Sequence, residues 1–135
     1  MKTLLRYLPV ILWSAVIFLF SSWETPPSPQ DTLLNFILKK TAHLIEYAIL
    51  YYLTFKAFNP SPQPNPNPQP TTHNYLFPLL FTILYAISDE IHQSFVSGRH
   101  GRAGDVLIDA AGAILAVIYL ANRHSKPRDP SLRSG

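Results

Sequence analysis

Between Ser88 and Asp109 the chain places Asp89, Glu90, His92, Gln93, Arg99, Arg102, Asp105 and Asp109 beside two strongly apolar runs, in a sequence of which only 14% of residues are charged. An ionisable group inside or next to a hydrocarbon-facing segment costs several kcal/mol unless it meets a partner or a wet cavity, so such a concentration marks a candidate site. Upstream, Lys40, His43, Glu46 and Tyr47 stand at the start of another apolar run. An imidazole titrates near neutrality, which suits His43 to general-base work with Asp89 or Glu90 orienting it or acting as the acid. Asp105 is a further candidate acid. Arg99 and Lys40 can hold a phosphate or carboxylate, the guanidinium bidentately, with Tyr47, Gln93 and Asp109 as further binding groups. A covalent serine mechanism is disfavoured, because Ser88 and Ser94 lack the flanking glycines of a nucleophile elbow.

The same residues offer a second chemistry. His43, Glu90, His92, Asp105 and Asp109 form a mixed nitrogen and oxygen set of the kind that suits zinc, manganese or magnesium, although no HExxH or His-x-His cluster fixes a geometry. Asp89, Glu90 and His92 point in different directions around a helix, so not all of them can reach one ion. No cofactor is expected, the divalent metal being the minor alternative, and with no cysteine in the chain neither disulfides nor thiol chemistry are available.

The elements that must position these groups are apolar and helical. Residues 4–22 are almost unbroken apolar residues, long enough at about 1.5 Å per residue to cross a hydrocarbon core of roughly 30 Å. Lys2 and Arg6 resemble the start of a signal peptide, but residues 21–25 lack a small-x-small cleavage pattern, which favours a retained first span. Residues 42–58, 75–95 and 105–121 give three more, with Pro78 expected in the first turn of the third, where no backbone donor is lost. The fourth covers only about 25 Å and needs snorkelling flanks. Asp31 or Thr32 can cap a short amphipathic helix over Leu33, Leu34, Phe36, Ile37 and Leu38, lying on the membrane surface. Residues 59–70, with six prolines in twelve positions, read as an extended tether, and the basic tail 122–135 as disordered.

The expected fold is therefore all-α, a single integral membrane four-helix bundle. With four spans both termini share a side, and that side holds Lys2, Arg6, Lys56, Arg123, Lys126, Arg128 and Arg133 against Lys39, Lys40, Arg99 and Arg102 on the other. The excess of lysine and arginine places both termini in the cytoplasm of a multi-pass plasma-membrane protein, with the polar groups facing outward.

Helical spacing sorts those polar groups into three stripes: Lys40, His43 and Tyr47; Asp89 and Gln93; Asp105, Asp109 and Gly112. In these ordered motifs, Lys40-x-x-His43-x-x-x-Tyr47, then Asp89-Glu90-x-x-Gln93-x-Phe95-x-x-x-Arg99, then Asp105-x-x-x-Asp109-x-x-Gly112, the chain resembles the VanZ-like family. The resemblance covers most of residues 40–120. It implies a small bacterial membrane protein of the cell envelope, in a family named for a protein that lowers susceptibility to the glycopeptide antibiotic teicoplanin. Asparagine is common in the family where this chain carries Asp109, so the site here holds one more acid, and the proline tether has no counterpart to borrow a role from.

Three functional readings follow. One is an enzyme acting at the outer leaflet on a lipid, a lipid-linked sugar or a cell-wall precursor. Another is a non-enzymatic protein whose outward pocket binds an anionic head group, a peptide or a glycopeptide. The weakest is a proton or ion path, because the inner halves of the spans carry no matching polar chain. Against all three stands the possibility that Asp89, Lys40, Asp105 and Arg99 only hold the spans in register, although such a network can be replaced by apolar contacts at similar stability. Glu46, His92 and His100 read as surface groups. Membrane lipids are the expected surroundings and nucleic acid is not a partner, since the net charge of +3 comes mostly from a tail that an anionic inner leaflet accommodates. Nothing in the sequence sets an oligomeric state.

Overall fold

A computed structural model describes residues 2–24, 33–60, 71–99 and 101–125. Among these the regular structure is helical throughout: α1 (Lys2–Leu5), α2 (Leu8–Ser21), α3 (Leu33–Phe58), α4 (Thr72–Gln93) and α5 (Ala103–Ser125). The expected all-α class and its four apolar segments are present as α2 to α5, but the bounds shift for identifiable reasons.

The first segment is broken at Arg6 and Tyr7 rather than continuous over 4–22. Pro9 lacks an N–H and its ring collides with a helical carbonyl four residues back, at Leu5, so the chain makes a tight turn. The Tyr7 N–H donates to the Leu4 carbonyl at 3.1 Å, and α2 then starts with Pro9 inside its first turn.

The separate surface helix over residues 33–38 is corrected to the first turns of α3, which runs unbroken from Leu33. Lys39 and Lys40 are good helix formers and Thr41 is only mildly unfavourable, so nothing interrupts the ladder. The suggested caps Asp31 and Thr32 lie outside the described residues, as do 61–70 of the tether.

In α4 the helix begins at Thr72, so Pro78 lies in its interior and not in the first turn. Proline cannot donate to the carbonyl of Asn74, and Asn59, just past the end of α3, supplies the missing donor: its Nδ2 reaches the Asn74 carbonyl at 3.1 Å. A single side chain thus compensates the proline and ties the end of α3 to the start of α4.

Helix α5 extends over 23 residues, Ala103–Ser125, about 34 Å by the rise per residue, so the fourth segment is not short. Residues 122–125, expected as disordered tail, are helical, and 126–135 lie outside the described residues. Among the described helices α5 is the one long and apolar enough to cross a membrane, and α2 is a shorter apolar helix.

Helix α3 is central, packing along α5 and α4, while α2 lies against α3 and α4 more lightly. The interior is made of Val10, Ile17, Tyr47, Leu50, Ala57 and Ala86 in one cluster and Tyr51, Phe55, Ala113 and Leu120 in another. Polar ties along its length hold α2 in place: Trp13 Nε1 donates to the Glu46 carbonyl at 2.9 Å, and the Tyr85 hydroxyl donates to the Ser14 carbonyl at 2.6 Å. The outer face is aliphatic and aromatic, with Leu12, Leu19, Leu76, Leu80, Leu84, Leu115 and Ile118 all exposed. Successive helices alternate in direction. The C-terminal end of α2, the N-terminal half of α3, the C-terminal end of α4 and the start of α5 consequently share one end of the bundle.

Candidate functional site

That shared end collects the polar stripes. His43 on α3 and Asp109 on α5 meet through Nδ1 and Oδ1 at 3.2 Å, with Asp109 fully buried. The approach depends on Gly112, one turn further along α5: a Cβ there would fall onto the carbonyl of Leu44, the residue after His43. Glycine lets the two backbones touch, and the touching backbones bring imidazole and carboxylate into contact.

Glu90 enters the same centre from α4. Its Oε2 accepts the backbone N–H of Arg102 at 2.8 Å, which holds the carboxylate in one orientation. Gly101 makes this possible, since its Cα lies so close to the Glu90 carbonyl that a side chain would collide with it. The chain between α4 and α5 turns through Gly98, whose φ of 75° is a conformation side chains rarely adopt. One donor atom each from His43, Glu90 and Asp109 lies within 4.8 Å of the others.

Asp89 belongs to a second, adjoining chain of bonds. Gln93 Nε2 donates to Asp89 Oδ2 at 2.9 Å and to the Ser21 hydroxyl at 3.3 Å, joining α4 to the end of α2. Tyr47, wholly buried, places its hydroxyl beside Asp89, yet neither it nor Asp89 Oδ1 has a hydrogen bond of normal geometry. Glu90 Oε1 and Asp109 Oδ2 are also buried without a partner. Four buried oxygens on three helices left unpaired in one region is an unusual cost, about 1–3 kcal/mol for each neutral group and more for a charged one.

The remaining candidates are elsewhere engaged. Lys40 pairs with Asp105, tying α3 to α5 outside the cluster. The Arg99 guanidinium donates through Nη2 to the Phe20 carbonyl at 2.8 Å, through Nε to the Trp23 carbonyl at 3.2 Å, and through Nη1 to Gln93 Oε1 at 3.4 Å. These carbonyls belong to the end of α2, where the helix leaves acceptors unsatisfied and a cation is favoured. Arg99 therefore clamps a helix terminus, with three of its five donors engaged among the described residues. His92 is not the free surface group expected: its ring stacks on Phe18 with centroids 4.5 Å apart, and its Nε2 lies 3.0 Å from the Ser22 hydroxyl. His100 lies outside the described residues.

The structure thus gathers His43, Glu90 and Asp109, with Asp89, Tyr47 and Gln93 adjoining; Lys40 and Asp105 pair with each other, Arg99 bonds to Gln93 and the end of α2, and His92 packs on Phe18. Of the five metal candidates three converge. The acid that meets His43 is Asp109 rather than Asp89 or Glu90. Glu46, expected at the surface, is half-buried and shares the electrostatic field of His43, Asp89 and Asp109. Sequence reasoning missed the part played by Gly101 and the Arg102 backbone; the signal was the spacing Gly98, Gly101, Gly104 immediately after the acidic stripe.

Beside Glu90 an open cavity of about 470 Å³ lies between α4 and α5. Ile87, Ile91 and Val106 give it apolar walls, while Glu90 and Arg102 stand at its polar part.

The family model described as VanZ/LLP1 matches residues 5–122. No curated protein and no solved structure matches the chain.

Proposed function

The chain belongs to the VanZ-like family, and from that premise we propose that it is a multi-pass protein of the bacterial plasma membrane whose polar end faces outward and takes an amphiphilic component of the cell envelope. The bundle's outer face supports the membrane reading: large apolar side chains such as Leu12, Leu19, Leu80, Leu84 and Leu115 are exposed all round it, far beyond what a soluble monomer leaves in water. The excess of lysine and arginine near the termini supports cytoplasmic ends.

The observation that carries the site reading is the position of Glu90. Glu90 gives a carboxylate oxygen to the buried cluster with His43 and Asp109 and is also one of the residues that line the apolar-walled cavity. An occupant with an acyl or isoprenyl chain along Ile87, Ile91 and Val106 brings its head group to that cluster. Lipids, lipid-linked cell-wall precursors and lipoglycopeptides all have this form. His43, held by Asp109 through one ring nitrogen, has its other nitrogen as the proton acceptor that catalysis on such a head group needs. The same pocket serves a binding protein without turnover, and tolerance of teicoplanin follows from either.

A second reading applies to part of the set. The Lys40–Asp105 pair and the Arg99 clamp join helices to one another, so these three residues act by packing.

The test is to express the wild type and the Glu90→Gln, His43→Gln and Lys40→Met variants in a susceptible Gram-positive host. Membrane abundance, teicoplanin susceptibility and outer-leaflet lipid composition are measured for each. The reading expects the wild type to alter susceptibility or composition, and Glu90→Gln and His43→Gln to abolish the effect at normal abundance. A wild type without effect on either quantity overturns it.

A further inference from the structure

We propose that His43, Glu90 and Asp109 bind one divalent transition-metal cation, of the kind that accepts mixed nitrogen and oxygen ligands, such as Zn²⁺ or Mn²⁺, in the interior of the bundle. This deepens the reading above and rests on it only for what the ion would act upon.

The three side chains come from three helices, α3, α4 and α5, and offer one donor atom each within 4.8 Å of the others. Metal–ligand bonds of about 2.0–2.2 Å at a tetrahedral angle put two ligands of one ion about 3.3–3.6 Å apart, so the widest pair of the cluster closes by up to about 1.5 Å, a movement that side-chain torsions supply. The 3.2 Å between His43 Nδ1 and Asp109 Oδ1 is already the separation of neighbouring ligands on such an ion.

Independent of this spacing, two of the three ligands carry buried oxygens with nothing to bind. Glu90 Oε1 and Asp109 Oδ2 lack any partner, on residues 5% and 0% exposed. Two buried carboxylates and a neutral imidazole carry the charge that a dication cancels, whereas the same pair without a cation is paid for by desolvation of each anion. The arginines and the lysine around the cluster do not supply the balance, since Lys40 is paired with Asp105, Arg99 is bonded to the end of α2, and Arg102 is exposed.

The surroundings are those of an oriented ligand set. The Arg102 N–H holds Glu90 Oε2 at 2.8 Å, which fixes the carboxylate and leaves Oε1 without a hydrogen-bond donor. One imidazole and two carboxylates select zinc, manganese or iron over calcium or magnesium, which favour oxygen alone. Three protein ligands leave at least one position on the ion open, the arrangement of catalytic rather than structural sites. The unpaired Asp89 Oδ1 and Tyr47 hydroxyl nearby are suited to hold a water there.

The experiment uses the full chain in detergent, stripped with a chelator, then titrated with Mn²⁺ and Zn²⁺ alone. Bound metal is counted after dialysis, and the Mn²⁺ form is examined by electron paramagnetic resonance for nitrogen coupling. The proposal expects about one ion per chain, a loss of affinity of at least about 10-fold in Glu90→Gln and Asp109→Asn, and loss of the nitrogen coupling in His43→Gln. Lys40→Met, which leaves the ligands in place, retains the ion and shows that the variants fail for lack of a ligand rather than a fold. Wild type that binds neither metal, or that binds with the same affinity and coupling in all three ligand variants, overturns it. If Glu90→Gln abolishes protection of the host while the wild type binds no metal, this inference falls and the envelope reading stands; if metal binds but the host is unaffected, the reverse holds.

Discussion

His43 and Asp109, 66 residues apart in the chain, meet at 3.2 Å because Gly112 lets α5 rest on the backbone of Leu44. A methyl group at Gly112 has only the Leu44 carbonyl to move, and main chain does not yield as a flexible side chain does. Gly112→Ala is expected to cost about 1–3 kcal/mol of stability, the range of an overpacked interior. It should also part the imidazole from the carboxylate. Thermal unfolding in detergent reads the first effect, and the chemical shifts of the His43 ring read the second; an alanine variant with native stability and an unchanged ring environment would contradict this account.

Arg99, a candidate for holding an anionic ligand, closes the end of α2. Replacing it with alanine removes three hydrogen bonds from a cation, each worth about 1.5–3 kcal/mol in favourable settings and less at a partly exposed one. Lysine restores charge but not the fork. Hydrogen exchange at the amides of residues 17–22 should accelerate in Arg99→Ala and recover only partly in Arg99→Lys, because one ammonium cannot serve Phe20, Trp23 and Gln93 together.

Asn59 and Pro78 form a testable pair through the Asn74 carbonyl. Asn59→Ala should destabilise by about 1 kcal/mol by leaving that partly buried carbonyl unpaired. In a Pro78→Ala background the helix supplies its own N–H, so the same Asn59→Ala change should cost markedly less. A double-mutant cycle measures the difference, and simple additivity of the two changes would refute the link.

Lys40 and Asp105 offer the contrast with the buried cluster. Lys40→Met alone strands a half-buried carboxylate, whereas Lys40→Met combined with Asp105→Leu removes both charges and adds apolar contact. The double variant should recover most of the stability that the single one loses and keep the wild-type effect on the host. If it folds normally yet loses that effect, Asp105 has a role beyond joining α3 to α5.

The parts of this architecture that were readable in the sequence are those governed by local periodicity. Spacing along single helices set Lys40, His43 and Tyr47 on one stripe, and Asp105, Asp109 and Gly112 on another, and it marked four apolar segments. What escaped depends on how helices are rotated and joined. Whether His43 meets Asp89, Glu90 or Asp109 is decided by the contact at Gly112, which no periodicity reveals. Arg99 acts on carbonyls more than 70 positions upstream, and its role follows from where the turn through Gly98 lands. Pro78 was misplaced because its compensating donor, Asn59, sits beyond a long proline-rich stretch, out of any local window.

Because the cluster draws one side chain from each of α3, α4 and α5, its completion is tied to the order of synthesis. The ribosome makes α5 last, so a nascent chain holds His43 and Glu90 with no Asp109 to join them. Gly112 arrives three residues behind Asp109, which means that the acid and the contact surface that seats it emerge together. Any chain stopped before residue 109 keeps His43 and Glu90 at a bundle end that has lost its third wall, so the two polar groups face whatever surrounds the unfinished bundle instead of the partner that α5 brings.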